Sequence, residues 1–189
     1  MLKQRDRATC AQTGNAESHF NTFQLYSKLM SQINYQHNNS NKYNYADVRN
    51  FTRARRADKS QQHIDIRTKS LLIVPINVNN THWVLVVAFM QQKKIMYYDS
   101  FNQNGISYMK IIQRYIGDEI RVNCKGVEDM KKWQLANVRV PQQRNNYDCG
   151  ICVLMNVDLL LQNKPLTYNA NDMTDYRVKV ANDIIRGHL

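Results

Sequence analysis

A chain of 189 residues, 43% hydrophobic and 22% charged, has the size of one globular domain with a sizeable core. No apolar run approaches the roughly 18 residues that a membrane-spanning helix needs, and no repeat recurs at a fixed period. With 26 Lys and Arg against 15 Asp and Glu, the formal net charge is +11, which implies an acidic partner: nucleic acid, or the acidic face of another protein.

The opening MLKQRDRATCAQTGNAE is basic with no apolar block behind it, so it does not read as a secretory signal, and the protein is expected in the nucleus, the cytoplasm or both. In that compartment Cys10, Cys124, Cys149 and Cys152 are expected to be free thiols. Cys149 and Cys152 are three apart, but no second Cys/His pair at ligand spacing accompanies them, so neither a metal nor another cofactor is expected.

In chain order, residues 19–32 (HFNTFQLYSKLMSQ) place Phe20, Phe23, Leu25, Leu29 and Met30 at spacings that predict a core helix. Residues 34–46, rich in Asn and Tyr, read as a loop. From Arg49 to Lys69 seven basic residues (Arg49, Arg53, Arg55, Arg56, Lys59, Arg67, Lys69) face only Asp58 and Asp65, making this the most cationic stretch; on an even weighing it is either a binding face or a solvated helix face. Three strands follow, LLIVPINV, HWVLVVAFM and IMYYDS, joined at Asn79-Asn80-Thr81 and at Gln91 to Lys94, with consecutive antiparallel pairing expected. Gly105 opens a helix through ISYMKIIQRYI, and WQLANVRV predicts a further strand ended by Pro141. GICVLMNVDLLLQ is apolar on nearly every face and predicts a buried helix with Asp148 as its N-cap; MTDYRVKVANDIIRG predicts an amphipathic closing helix stopped by Gly187.

A thiol nucleophile needs stabilisation of its anion, a base, a group that orients the base, and donors for an oxyanion. Cys149 begins the most buried predicted helix, where unpaired amides and the helix dipole favour a thiolate. His82 starts one strand and Asp99 closes the next, so antiparallel pairing brings their side chains together, the carboxylate fixing the imidazole tautomer. Gln143, six residues before Cys149, can direct an amide N–H at the oxyanion alongside the Cys149 backbone N–H, and Gly150 permits close substrate approach. Each residue alone has a plain structural explanation: a core cysteine, a surface histidine, a turn aspartate, a loop glutamine.

Together FNTFQLYSKL, VRNFTRARR, IVPINV, HWVLVV, YYDS and VPQQRNNYDCGICV resemble the ubiquitin-like-protein-specific proteases that process and remove SUMO and its relatives, themselves related to the adenovirus proteinase; the resemblance runs from about Phe20 to Ile185. It implies an α+β, papain-like fold, a central and mostly antiparallel sheet flanked by helices. It also implies a cysteine peptidase cutting after the C-terminal Gly-Gly of a SUMO-like or other ubiquitin-like modifier, in processing or deconjugation. The catalytic set would be His82, Asp99, Cys149 and Gln143, and Trp83 would cover the glycine pair. An acidic-faced modifier suits the basic stretch, where Arg53, Arg55 and Arg56 are the candidate contacts.

Departures from the family pattern are the absence of any tryptophan before Trp83, where members usually carry an upstream Trp-Leu-Asn-Asp segment, Phe51 where tryptophan is common, and Asn146 where glycine is common. Residues 1–18 are accordingly expected to be an extension outside the family pattern and 19–189 a catalytic domain lacking the usual N-terminal segment. Two alternatives stay open: a catalytically weak modifier-binding module, and a viral or mobile-element maturation protease of adenovirus type. Nucleic acid, supported by charge alone, is not the expected partner; no membrane association and a monomer are expected.

Overall fold

A computed structural model describes residues 8–9, 19–20, 43–49, 52–55, 61–169 and 171–186. Its centre is a four-stranded sheet of β5 (Leu71–Val78), β6 (His82–Phe89), β7 (Lys94–Tyr98) and β8 (Gln134–Val138), in that spatial order. The first three pair antiparallel as the short turns imply, and β8 joins β7 in parallel. A parallel partner needs a crossover, here supplied by helix α1 (Ile106–Val122). Helix α2 (Cys149–Leu161) packs on β6, and α3 (Asp172–Arg186) packs on α2.

Both faces of β6 are covered, which is why its residues 84–88 read as an unbroken apolar run. Val84, Val86 and Ala88 join Leu72, Val74 and Ile76 of β5 and Met109, Ile112 and Ile116 of α1 in the larger core. Leu85 and Val87 point the other way, into a second cluster with Tyr98, Val140 and Val153 of α2. The β5–β6 turn uses left-handed backbone at Asn79 (φ 51°) and Asn80 (φ 59°), conformations asparagine tolerates better than most side chains.

Several expectations change. His19–Phe20 (β2) is extended and paired antiparallel with Ala8–Thr9 (β1), so the helix expected over 19–32 does not begin at residue 19; residues 21–32 lie outside those described. Of the loop expected at 34–46, residues 43–46 are described, and Tyr45–Asp47 form a 3-10 turn. The basic stretch is not a solvated helix face where it is described: Arg53–Arg55 (β3) ladders antiparallel with Gln61–His63 (β4), while Phe51, Arg56 and Lys59 lie outside the described residues. Helix α2 is less enclosed than its composition implies, since Leu154 is 45% exposed.

Glu119 on α1 is fully buried because Tyr45 and Thr52 donate to its carboxylate and Asn123 Nδ2 approaches both oxygens at 3.1 Å. That network ties the segment preceding β3 to the helix, so the basic ladder hangs from the core.

Gly105 is required where α1 starts. A Cβ there would stand 2.1–2.4 Å from the Tyr97 ring carbons, and that ring is buried, stacked on Tyr108 at 5.9 Å. Gly105→Ala is therefore expected to destabilise the fold by about 1–3 kcal/mol in denaturant unfolding, the cost of overpacking a closed core.

Candidate active site

The β6–β7 ladder pairs Leu85 with Tyr98. Continued past the end of β7, that register sets Val84 beside Asp99 and His82 beside Phe101. The side chains follow it: His82 Nε2 lies 2.7 Å from Asp99 Oδ1, and the imidazole stacks on the Phe101 ring with centroids 4.6 Å apart. Both partners of the His82–Asp99 pair are nearly closed to solvent, with side-chain exposures of 10% and 1%. In this low-dielectric setting a charge-assisted bond is stronger than at the surface.

Asp99 is held from several sides. The Phe101 N–H donates to Oδ1 (2.8 Å), the Gln103 N–H to Oδ2 (2.9 Å), and the Tyr97 hydroxyl lies 3.4 Å from Oδ2. Burial first, and then the neighbouring Asp99 carboxylate, push the Tyr97 hydroxyl far above its ordinary pKa, so it serves as a donor. With Nε2 engaged, His82 Nδ1 is buried and has no hydrogen-bond partner among the described residues. A nitrogen left this way has lost water without replacement and is suited to a group that arrives or forms during reaction.

Cys149 is the first residue of α2 and is 6% exposed. Its helix reaches the histidine end of the sheet: a Cβ on Gly150 would stand 3.7 Å from Cδ1 of Trp83, the neighbour of His82. Asp148 occupies the N-cap position without capping, contrary to expectation. Its carboxylate is used elsewhere, accepting from Asn145 Nδ2 (2.7 Å) and from Arg177 Nη2 of α3 (2.6 Å). Asn145 Oδ1 in turn accepts from the Tyr147 and Asp148 amides, so the bend entering α2 is clamped.

The loop before that bend docks on the strand bearing Asp99. The Gln143 N–H donates to Ser100 O (3.2 Å), the Ser100 hydroxyl donates to Gln143 Oε1 (2.6 Å), and Gln142 Nε2 donates to Val140 O (2.8 Å). Gln143 Nε2 donates to the Asn145 carbonyl. A primary amide carries two N–H donors, so one remains for an oxyanion. Neighbouring glutamines thus have different tasks, which their sequence does not distinguish.

The structure brings His82, Asp99, Trp83, Cys149, Gly150 and Gln143 to one end of the sheet. Arg53 and Arg55 sit on β3 in a separate ladder, and Arg56 lies outside the described residues. Sequence reasoning missed Phe101, Ser100 and Arg177. For Phe101 the signal existed, since counting the hairpin register onward from the Gln91–Lys94 turn reaches it. Nothing local pointed to Arg177.

Sheet, flanking helices and a cysteine at a helix start beside a histidine–aspartate pair describe the papain-like cysteine-protease fold. The family model of the Ulp1 protease family, C-terminal catalytic domain, matches residues 1–189, and the chain belongs to that family. Ubiquitin-like-specific protease ESD4 of Arabidopsis thaliana is 30% identical over 169 residues, covering 89% of this chain and 32% of that protein. Sentrin-specific protease 2 of Homo sapiens is 27% identical over 129 residues, covering 67% of this chain and 22% of that protein. The chain therefore spans less than half the length of these relatives. Among solved structures, SUMO protease Ulp1 with its catalytic cysteine oxidised to a sulfenic acid matches with TM-score 0.66 at 26% identity, over 89% of this chain and 68% of that one. The Ulp1 protease domain in complex with Smt3, the yeast ortholog of SUMO, matches in fold with TM-score 0.63 at 21% identity, over 97% of this chain and 89% of that one.

Burial pushes the Asp148 carboxyl up, but its bonds to Arg177 and Asn145 outweigh this and hold it below its ordinary value. A carboxyl lowered on folding adds stability above its unfolded pKa of about 3.9, and that contribution is lost as the pH falls through the folded value. Arg177→Met should thus cost about 1 kcal/mol in urea unfolding at neutral pH, with parent and variant converging at a pH below about 4.

Proposed function

We propose that the chain is a cysteine peptidase that cleaves after the C-terminal Gly-Gly of a SUMO-like modifier, in processing or deconjugation, with Cys149, His82, Asp99 and Gln143 as its working groups. The observation that carries this reading is the buried imidazole whose Nε2 is taken by Asp99 while Nδ1 has no partner among the described residues, at the sheet end where α2 starts with Cys149. Family membership supplies the substrate class.

In this reading the Cys149 sulfur, its proton passed to His82 Nδ1, attacks the carbonyl carbon after the second glycine. The electron pair moves onto the carbonyl oxygen, which accepts from the Cys149 N–H and the second Gln143 N–H; one such donor is worth about 2.7–4 kcal/mol of barrier. His82 Nδ1 carries the thiol proton to the departing amine, leaving a thioester. Water, deprotonated by the same nitrogen, then releases the modifier's carboxylate. Asp99 keeps the ring in one tautomer, and Trp83 beside Gly150 suits a slot that admits only a chain without side chains, as Gly-Gly is.

The net charge of +11 supports an acidic-faced substrate approaching the β3–β4 ladder. The absence of a tryptophan before Trp83 motivates the binding-module alternative, and the presence of His82, Asp99, Cys149 and Gln143 together opposes it. Nuclear or cytoplasmic residence and a monomeric state are part of the proposal.

Covalent capture tests the chemistry. The purified chain is mixed with Gly-Gly-ended ubiquitin-like proteins bearing a thiol-reactive C-terminus, and adducts are mapped by mass spectrometry. An adduct on Cys149 with a SUMO-like probe, absent in Cys149→Ala, is expected, and Asp99→Asn should slow turnover by about 10²–10⁴-fold. A folded wild-type sample that forms no adduct with any probe sinks the reading. Neutralising Arg53, Arg55 and Arg56 together should raise KM and flatten its salt dependence; an unchanged KM removes them from the substrate face.

A further inference from the structure

Cys152 takes no part in the hydrolysis just described, yet it lies one helical turn below Cys149. We propose that Cys152 is a resolving thiol: when peroxide oxidises Cys149 to its sulfenic acid, Cys152 closes a reversible disulfide with it. The proposal rests on the reading of Cys149 as a reactive thiol.

The helix provides the spacing. Cys152 N–H donates to Asp148 O (2.9 Å), so the first turn of α2 is regular. Residues three apart on such a helix have Cα atoms about 5 Å apart, from its rise and radius. That falls within the roughly 4.4–6.8 Å a disulfide spans. Helical Cα–Cβ bonds tilt toward the N-terminus, so the Cys152 side chain leans back toward the turn that bears Cys149.

The surroundings divide the two roles. Cys152 is 3% exposed, its sulfur 3.9 Å from Met173 Sδ and near the Ser100 and Tyr168 hydroxyls. Burial raises its pKa more than those hydroxyls lower it, so it waits as a protonated thiol, a poor target for peroxide. Cys149, at the start of the helix and the end of the sheet that carries His82, is the reactive thiol of the proposed function and meets the oxidant first. Cys124 is a poor substitute: it packs against the larger core, on the opposite face of the sheet, and burial together with Asp65 raises it to about 11.

In the first step the Cys149 thiolate bonds to one peroxide oxygen; the O–O bond breaks and hydroxide leaves, protonated to water. Sulfur has then lost two electrons to the peroxide. In the second the Cys152 sulfur bonds to the Cys149 sulfur; the S–O bond breaks, and the hydroxyl departs with the Cys152 proton as water. A dithiol reductant restores both thiols. The consequence is that the nucleophile is parked in a recoverable form instead of advancing to sulfinic acid.

The test treats the 189-residue chain with stoichiometric hydrogen peroxide, then alkylates it before and after dithiothreitol. In wild type, the expected result is a mass about 2 Da lower, both cysteines protected from alkylation until reduction, and full recovery of probe capture. Cys152→Ser should instead accumulate sulfinic and sulfonic acid on Cys149, with recoverable capture reduced about tenfold. Wild type in which Cys149 gains oxygen while Cys152 stays alkylatable overturns the proposal, and this result needs no variant to fold. Equal recovery in Cys152→Ser also overturns it. If the modifier probe labels Cys149 but no disulfide forms, only the resolving role fails; if neither probe nor peroxide modifies Cys149, the peptidase reading fails with it.

Discussion

Strand β6 must be buried on both faces, and the rest of the molecule follows from that. Val84, Leu85, Val86, Val87 and Ala88 are fully enclosed, and each of the larger side chains contributes about 1.5–3 kcal/mol over being exposed. One sheet face alone cannot hide them. Helix α1 covers the even-numbered side and α2 the odd-numbered side, so each helix is set against a defined stretch of strand. A one-residue slip of β7 against β6 would send Ile95 and Tyr97 to the wrong core, and it would also separate Asp99 from His82. Packing of the interior and alignment of the imidazole are thus one constraint.

Around the His82–Asp99 pair, preorganisation comes from groups that a catalytic inventory omits. Phe101 serves both members at once, its ring on the imidazole and its amide on Asp99 Oδ1. Ser100 and Gln143 are linked backbone to backbone and side chain to side chain, joining the strand that carries the carboxylate to the loop that leads to the thiol. Arg177 reaches from α3 to both the Tyr147 carbonyl and the Asp148 carboxylate, holding the entrance of α2 from outside. Cys149 and His82 stand on different elements, and these short bonds limit how far those elements move relative to each other.

The same placement explains why the second thiol matters. A residue at the start of a helix faces the unpaired first-turn amides, while the residue one turn on has its own amide paired inside the helix. Cys149 and Cys152 therefore differ in environment although a single turn separates them, and in the proposed redox step that difference decides which is oxidised and which resolves.

Much of this was legible in the chain itself. Apolar, β-branched runs and Asn-rich or Gln-Lys turns marked β5, β6 and β7, and Gly105 with the residues after it marked α1, because these patterns are local. His82, Asp99 and Cys149 could be named because hairpin register and helix start are also near-neighbour properties. The helix face expected in the basic stretch and the Asp148 cap fared differently. Local propensity there competes with partners outside the segment: Gln61–His63 with Arg53–Arg55 in the basic stretch, itself tied to α1 through Thr52 and Glu119, and Arg177 with Asp148. Sequence by itself determined the elements and the chemical groups. Only the tertiary structure decided which polar groups hold them in place, because a hydrogen bond across 29 or 67 residues depends on the closed core and leaves no periodic trace.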